Sequence, residues 1–154
     1  MQIKTLIEPN SKRLILIHAA ALDVIKTFRQ INHMDEEAGG VLIGKRRGDH
    51  FEITVATPPQ AFDTRSKYRF LRSPNGHQSA VSDHWKKSNG EENYIGEWHT
   101  HPENHPTPSS IDLREWKRIS QVNNNPLIVI IQGIQSNYYA LLTKGYCYAL
   151  QEYC

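Results

Sequence analysis

The amino-acid sequence predicts a mixed α/β domain, one sheet flanked by helices. Three observations predict it. Short β-rich runs and stretches of helical periodicity follow one another as strand, helix, strands, helix, strands. The 154 residues fit one domain, taken as residues 1–154, and leave little room for a second. A hydrophobic content of 38% suffices for a core, and no internal repeat or low-complexity linker divides the chain.

The elements follow in order. Leu14 to His18 is a short apolar run, read as a strand. Ala19 to Asn32 carries Leu22, Ile25, Phe28 and Ile31 at helical spacing and reads as an amphipathic helix. Ala38 to Gly44 is an apolar, glycine-punctuated strand that runs into Lys45 to Gly48. Phe51 to Ala56 alternates as a strand should until Pro58-Pro59 ends it, and Gly48-Asp49 between the two runs signals a hairpin turn. Arg65 to Arg72 is basic, with Tyr68 and Phe70 interleaved, and reads as a strand. Gly76 to Lys87 reads as a helix before a polar loop over Ser88 to Asn93. Tyr94 to Trp98 is a buried strand, and a proline-rich loop covers Pro102 to Pro108. Ser109 to Val122 is a helix with a serine cap and Asp112 in its first turn, a capping-box pattern, and Asn123 to Asn125 stops it. Strands over Leu127 to Ile131, Asn137 to Leu142 and Tyr146 to Gln151 complete the chain, the last two joined by a turn at Lys144-Gly145. Met1 to Lys12 mixes polar and apolar residues and yields no element.

Composition excludes some functions. The net charge of +2 is near balance and implies no general attraction to nucleic acid or anionic membrane. No apolar run approaches the ~20 residues needed to span a bilayer. The N-terminus lacks the apolar stretch of a signal peptide, so a cytosolic protein is expected. Cys147 and Cys154 suggest neither a disulfide framework nor a thiolate metal site, in keeping with a reducing compartment; Cys147 is expected to pack as a small apolar residue.

The chemistry concentrates in Glu97-Trp98-His99-Thr100-His101-Pro102 and Ser109-Ser110-Ile111-Asp112. Histidines at i and i+2 on an extended backbone point to one side, so both imidazoles reach one ion. Asp112 adds an oxygen once the proline-rich loop folds back. Zinc accepts such N and O ligands, and three protein ligands leave a fourth position open, as in a catalytic site. Amide hydrolysis also needs a base that takes a proton from water and hands it to the leaving amine. Glu37 is the best candidate, just ahead of the glycine-rich strand, where glycines permit close backbone approach. Ser109 could donate its hydroxyl to the developing oxyanion.

These residues resemble the JAMM (MPN+) metallopeptidases: a glutamate upstream, His-x-His-Pro, and an aspartate ten intervening residues after the second histidine, with a serine three before it. The resemblance implies an MPN-like domain with a mixed, curved β-sheet flanked by helices. It implies one zinc ion on His99, His101 and Asp112, Glu37 as general acid/base and Ser109 as oxyanion donor. The short chain and the Gly96-to-Pro102 context look most like bacterial single-domain members, some of them encoded in antiviral CBASS operons. That likeness implies a protein substrate with an extended C-terminal tail, a cGAS-like nucleotidyltransferase released from the amine it was conjugated to. Two other roles stay open: trimming of a small sulfur-carrier-like protein in biosynthesis, and a non-catalytic interaction module.

Each signal has a plainer reading. A lone His-x-His is more often an ordinary pair of histidines, Asp112 could serve the helix dipole alone, and Ser109 could be only a cap. Glu36 rivals Glu37, but a one-residue slip points its carboxylate to the opposite face. His105, four after His101, lies between prolines that disfavour a helix and reads as loop, facing substrate at most. His101-Pro102-Glu103 superficially matches a nucleobase deaminase, yet the chain has no Pro-Cys-x-x-Cys to complete that site. Trp98 and Trp116 are expected in the core. Arg65, Lys67, Arg69 and Arg72 form either a solvated face or a dock for an extended substrate tail by strand addition.

Overall fold

Apolar and aromatic runs become most of the eleven strands of the computed structural model, which describes residues 2–153. The readings made for Met1 and Cys154 lie outside those residues. In chain order the elements are β1 (Ile3–Ile7), β2 (Leu14–His18), α1 (Ala19–Thr27), β3 (Gly39–Arg47) and β4 (His50–Ala56). They continue with β5 (Thr64–Ser66), β6 (Arg69–Leu71), α2 (Pro74–Lys87), β7 (Asn93–Thr100) and α3 (Ser110–Val122). The last are β8 (Leu127–Gln132), β9 (Asn137–Thr143), β10 (Tyr146–Ala149) and β11 (Gln151–Glu152).

Nine strands form one mixed sheet in the order β10-β9-β8-β7-β3-β4-β2-β1-β11, and β5-β6 stand apart as a hairpin. The pairs β2–β4 and β7–β8 are parallel, the rest antiparallel. The two ends of the sheet, β10 and β11, are consecutive in the chain, so the sheet curves until it nearly closes. Leu150 stands between them, and its N–H donates to Tyr139 O at 2.9 Å. This corner interrupts the strand expected over Tyr146 to Gln151.

Both faces of the sheet carry apolar side chains. On one, Ile15, Ile17, Leu42, Ile53, Ile95, Trp98, Ile128 and Ile130 pack against Ala21 and Ile25 of α1. On the other, Leu127, Val129 and Ile131 of β8 with Ala140 and Leu142 of β9 pack against Trp116 and Ile119 of α3. β8 is therefore buried on both faces and reads as a continuous apolar run.

Four further expectations need correction. β1 exists where none was expected: it pairs with β2 from Ile3↔His18 to Ile7↔Leu14, and its one-sided burial hides it in a mixed composition. α1 stops at Thr27 rather than Asn32. The chain turns there so that Gln30 can bury its amide, which leaves Ile31 58% exposed. The segment 65–72 is two short strands, since Lys67-Tyr68 forms a turn. Cys147 is exposed, with its Sγ 3.8 Å from the Tyr138 hydroxyl, because β10 is an edge strand exposed along its length.

Candidate active site

Pleating delivers the two histidines. β7 pairs with β3 through Gly39↔His99 and with β8 through His99↔Ile131, so His99 belongs to a strand held on both sides. His101 follows the last residue of β7, its N–H still donating to Gln132 O at 3.1 Å. Thr100 between them points the other way and is fully buried. Its hydroxyl donates to Gln30 Oε1 at 2.8 Å and accepts the Ala38 N–H at 2.9 Å. The outcome is two imidazoles on one side, with Nε2 atoms 3.1 Å apart.

Helix capping delivers the aspartate. Ser109 is the N-cap of α3; its Oγ accepts the Asp112 N–H at 3.1 Å, and Asp112 Oδ2 accepts the Ser109 N–H at 2.9 Å. Asp112 shares a helix face with Trp116 one turn later. Trp116 is 3% exposed, stacks on Tyr138 and lies 6.2 Å, ring to ring, from His99. Burying Trp116 thus swings Asp112 onto the histidines. Its Oδ1 is 3.3 Å from His99 Nε2 and its Oδ2 is 3.1 Å from His101 Nε2. The loop between β7 and α3 is tied down by Ile134 N–H to Glu103 O at 2.8 Å and by Gln135 and Ser136 N–H to Asn104 O, both 3.0 Å.

Glu37 arrives from the segment ahead of β3. It is 8% exposed, whereas Glu36 is exposed. Ligand atoms of Glu37, His99 and His101 lie within 4.8 Å of one another. Burial raises the Glu37 carboxyl to about 6 against the pull of the two histidines, with Asp112 adding to the rise. Burial disfavours the charged form of His101, but hydrogen bonds to Asp112 and Glu103 outweigh it and raise that imidazole to about 8. Asp112 is raised by burial, yet both histidines hold it far below the ordinary carboxylate range.

The donor set fits zinc. A tetrahedral ion with ligands at about 2.0–2.1 Å sets neighbouring donors about 3.3 Å apart. The two imidazole Nε2 atoms, 3.1 Å apart, are close to that edge, and Asp112 sets Oδ1 3.3 Å from one and Oδ2 3.1 Å from the other. Two imidazole nitrogens and one carboxylate suit zinc, and the cluster leaves Glu37 beside it.

Several contributors escape sequence reasoning. Glu103 Oε1 is 2.8 Å from His101 Nδ1, the arrangement that fixes the tautomer of a ligating histidine; its place two residues after His101 was the available signal. Thr100 was signalled only by its position between the histidines. Gln30 had no signal. The basic strip divides: Arg65 donates to backbone carbonyls of Glu37 and Glu36, Arg72 pairs with Glu97, Lys67 lies 3.0 Å from His33 Nδ1, and Arg69 is exposed. His105 is exposed loop, as expected, with Nδ1 2.8 Å from Ser136 Oγ.

Residues 19–141 match the family described as prokaryotic homologs of the JAB domain. A Pseudomonas aeruginosa protein named CD-NTase/cGAS isopeptidase is 36% identical over 135 residues, 86% of this chain and 85% of its own. A Vibrio cholerae protein of the same name is 34% identical, over 85% of this chain and 83% of its own. One from Escherichia coli is 39% identical, over 77% and 76%. The solution structure of a Desulfitobacterium hafniense protein superposes with a TM-score of 0.62 at 23% identity, covering 90% of this chain and 89% of that one. That likeness shows a shared fold.

Proposed function

The chain belongs to the family of prokaryotic JAB-domain homologs, and on that premise we propose that it is a zinc-dependent isopeptidase acting on the C-terminal tail of a conjugated protein. His99, His101 and Asp112 hold the ion in this reading. The observation that carries it is the convergence of their donor atoms to 3.1–3.3 Å with the Glu37 carboxylate alongside.

When bound, zinc supplies Lewis acidity, polarising the scissile carbonyl and acidifying the attacking water. Glu37 takes a proton from that water as its oxygen bonds to the carbonyl carbon, then delivers the proton to the amine, which departs as the C–N bond breaks. Its buried carboxyl, raised to about 6, is suited to accept and return a proton near neutral pH. The Ser109 Oγ already accepts the Asp112 N–H, which leaves its own O–H free to donate to the oxyanion.

The substrate proposed is a cGAS-like nucleotidyltransferase joined through its C-terminus to a target amine, in bacterial antiviral defence and in the cytosol. The names of the three relatives support that substrate. No helix among the described residues is long and apolar enough to cross a membrane. Residues 1–154 act as one catalytic domain, and Arg69 on the exposed side of the β5–β6 hairpin is the part of the basic strip left to meet the tail.

The test is incubation of the zinc-loaded protein with a nucleotidyltransferase tail fused through an amide, with mass spectrometry of the products. A single cut after the tail's last residue, abolished by chelator and restored by zinc, is expected. Cleavage that persists in chelator, or an intact fusion, would sink the proposal.

A further inference from the structure

Cross-strand pairing sets Arg65 opposite Phe70 in the β5–β6 hairpin, so the two side chains share a face. That face lies on the segment entering β3. The Phe70 ring fills the space above Gly39: a Cβ there would meet it at 2.7 Å. Arg65 Nε donates to Glu37 O at 2.9 Å, and a terminal guanidinium nitrogen donates to Glu36 O at 3.3 Å. From the same strand, Ser66 O accepts the Glu37 N–H at 2.7 Å. Both peptide groups of Glu37 are therefore held by β5.

The hairpin is itself clasped at its root. Asp63 Oδ1 accepts the Ser73 N–H and Oδ2 accepts the Gln60 N–H, both at 2.7 Å. Asp63 Oδ2 also pairs with His77 Nε2 at 2.8 Å, and His77 Nδ1 lies 2.6 Å from Thr57 Oγ1. Thr57 Oγ1 accepts the Val41 N–H at 2.9 Å, which returns the chain of contacts to β3. The side chains of Asp63 and His77 are 0% and 2% exposed, so this clasp is part of the interior.

We propose that Arg65 is a positioning residue for Glu37. It acts through the main chain and takes no part in docking substrate. The inference rests on reading Glu37 as the proton carrier. Glu37 precedes the regular strand, which begins at Gly39, so no sheet ladder sets its peptide. A guanidinium presents its donors in a rigid fork and can hold two successive carbonyls at once; an ammonium is a point donor. Displacement of a reacting group by about 1 Å can cost on the order of a hundredfold in rate.

The test compares Arg65→Ala, Arg65→Lys, Glu37→Gln and the double variant Arg65→Ala/Glu37→Gln in zinc-loaded protein. Arg65→Ala should lower kcat by about tenfold to a hundredfold with KM and bound zinc unchanged, and Arg65→Lys should recover part of that loss. In the Glu37→Gln background, Arg65→Ala should cost nothing further, since it acts only through the missing carboxylate. A raised KM with intact kcat would return Arg65 to substrate docking, and an additive loss in the double variant, or loss of zinc in both Arg65 variants, would overturn the positioning role. Full turnover in Glu37→Gln would instead remove the premise itself. An inactive Glu37→Gln enzyme beside a fully active Arg65→Ala enzyme overturns this inference alone.

Discussion

The ligand cluster and the Glu37 arm meet at one point but are built differently. His99 and His101 are set by the pleat of β7, and Asp112 by the capping box of α3 with Trp116 buried one turn later. Strand pairing orients the histidines and helix capping the aspartate, so their geometry is inherited from elements that would form for other reasons. Glu37 sits outside any strand and is held by Ser66 O and Arg65 from a separate hairpin, with Ala38 bound to Thr100 next to it. One half of the site thus rests on secondary structure and the other on tertiary contacts. Substitutions should separate a metal-holding half from a proton-moving half.

The sharpest break of that division is His99→Ala. It removes one of three donors, and bound zinc and activity should disappear together, read by metal analysis and by cleavage of the fusion. Glu37→Gln should keep the zinc and lose about 10²–10⁴-fold in kcat; an active glutamine variant would put the base elsewhere. Glu103→Ala sharpens the boundary from the ligand side. The Nδ1 partner of His101 is 47% exposed, and its removal should weaken zinc affinity about 10–100-fold while excess zinc restores turnover. Unaltered affinity would mean that the His101 ring is oriented by packing alone.

The smallest effect on catalysis belongs to the hairpin clasp and is read as stability against pH. Burial raises the Asp63 carboxyl, but the Gln60 and Ser73 N–H groups and His77 outweigh it and hold it below its ordinary value. A depressed folded-state pKa contributes stability above the unfolded value of about 3.9, and that contribution is lost as pH falls through the folded one. Asp63→Asn swaps an acceptor for a donor where three donors converge. It should cost about 1–3 kcal/mol at neutral pH and flatten the acid-unfolding limb below about pH 4. An unchanged acid limb would mean that other carboxylates set it.

Much of the fold was legible because periodicity is local. The β3–β4 hairpin, α2, β7, α3 with its cap, β8 and β9 all follow from alternation, capping and turn signals within a few residues. The errors share a cause. Periodicity predicts a helix over 19–32, but burial of Gln30 against Thr100 and Lys67 O stops it early. The basic strip predicts one strand, because its turn at Lys67-Tyr68 lacks a glycine or proline signal, and two of its arginines serve Glu37 and Glu97 within the chain.

By itself the sequence determined which residues make up the proposed metal site. The spacing of His99, His101, Ser109 and Asp112 is converted into geometry by strand pleat and helix capping, which act over fewer than five residues. Only the tertiary structure decided where Glu37 stands and what holds it. Arg65 and Ser66, distant in the chain, hold its two peptide groups, and Thr100 holds Ala38 beside it; bonds made to the main chain leave no residue pattern to read.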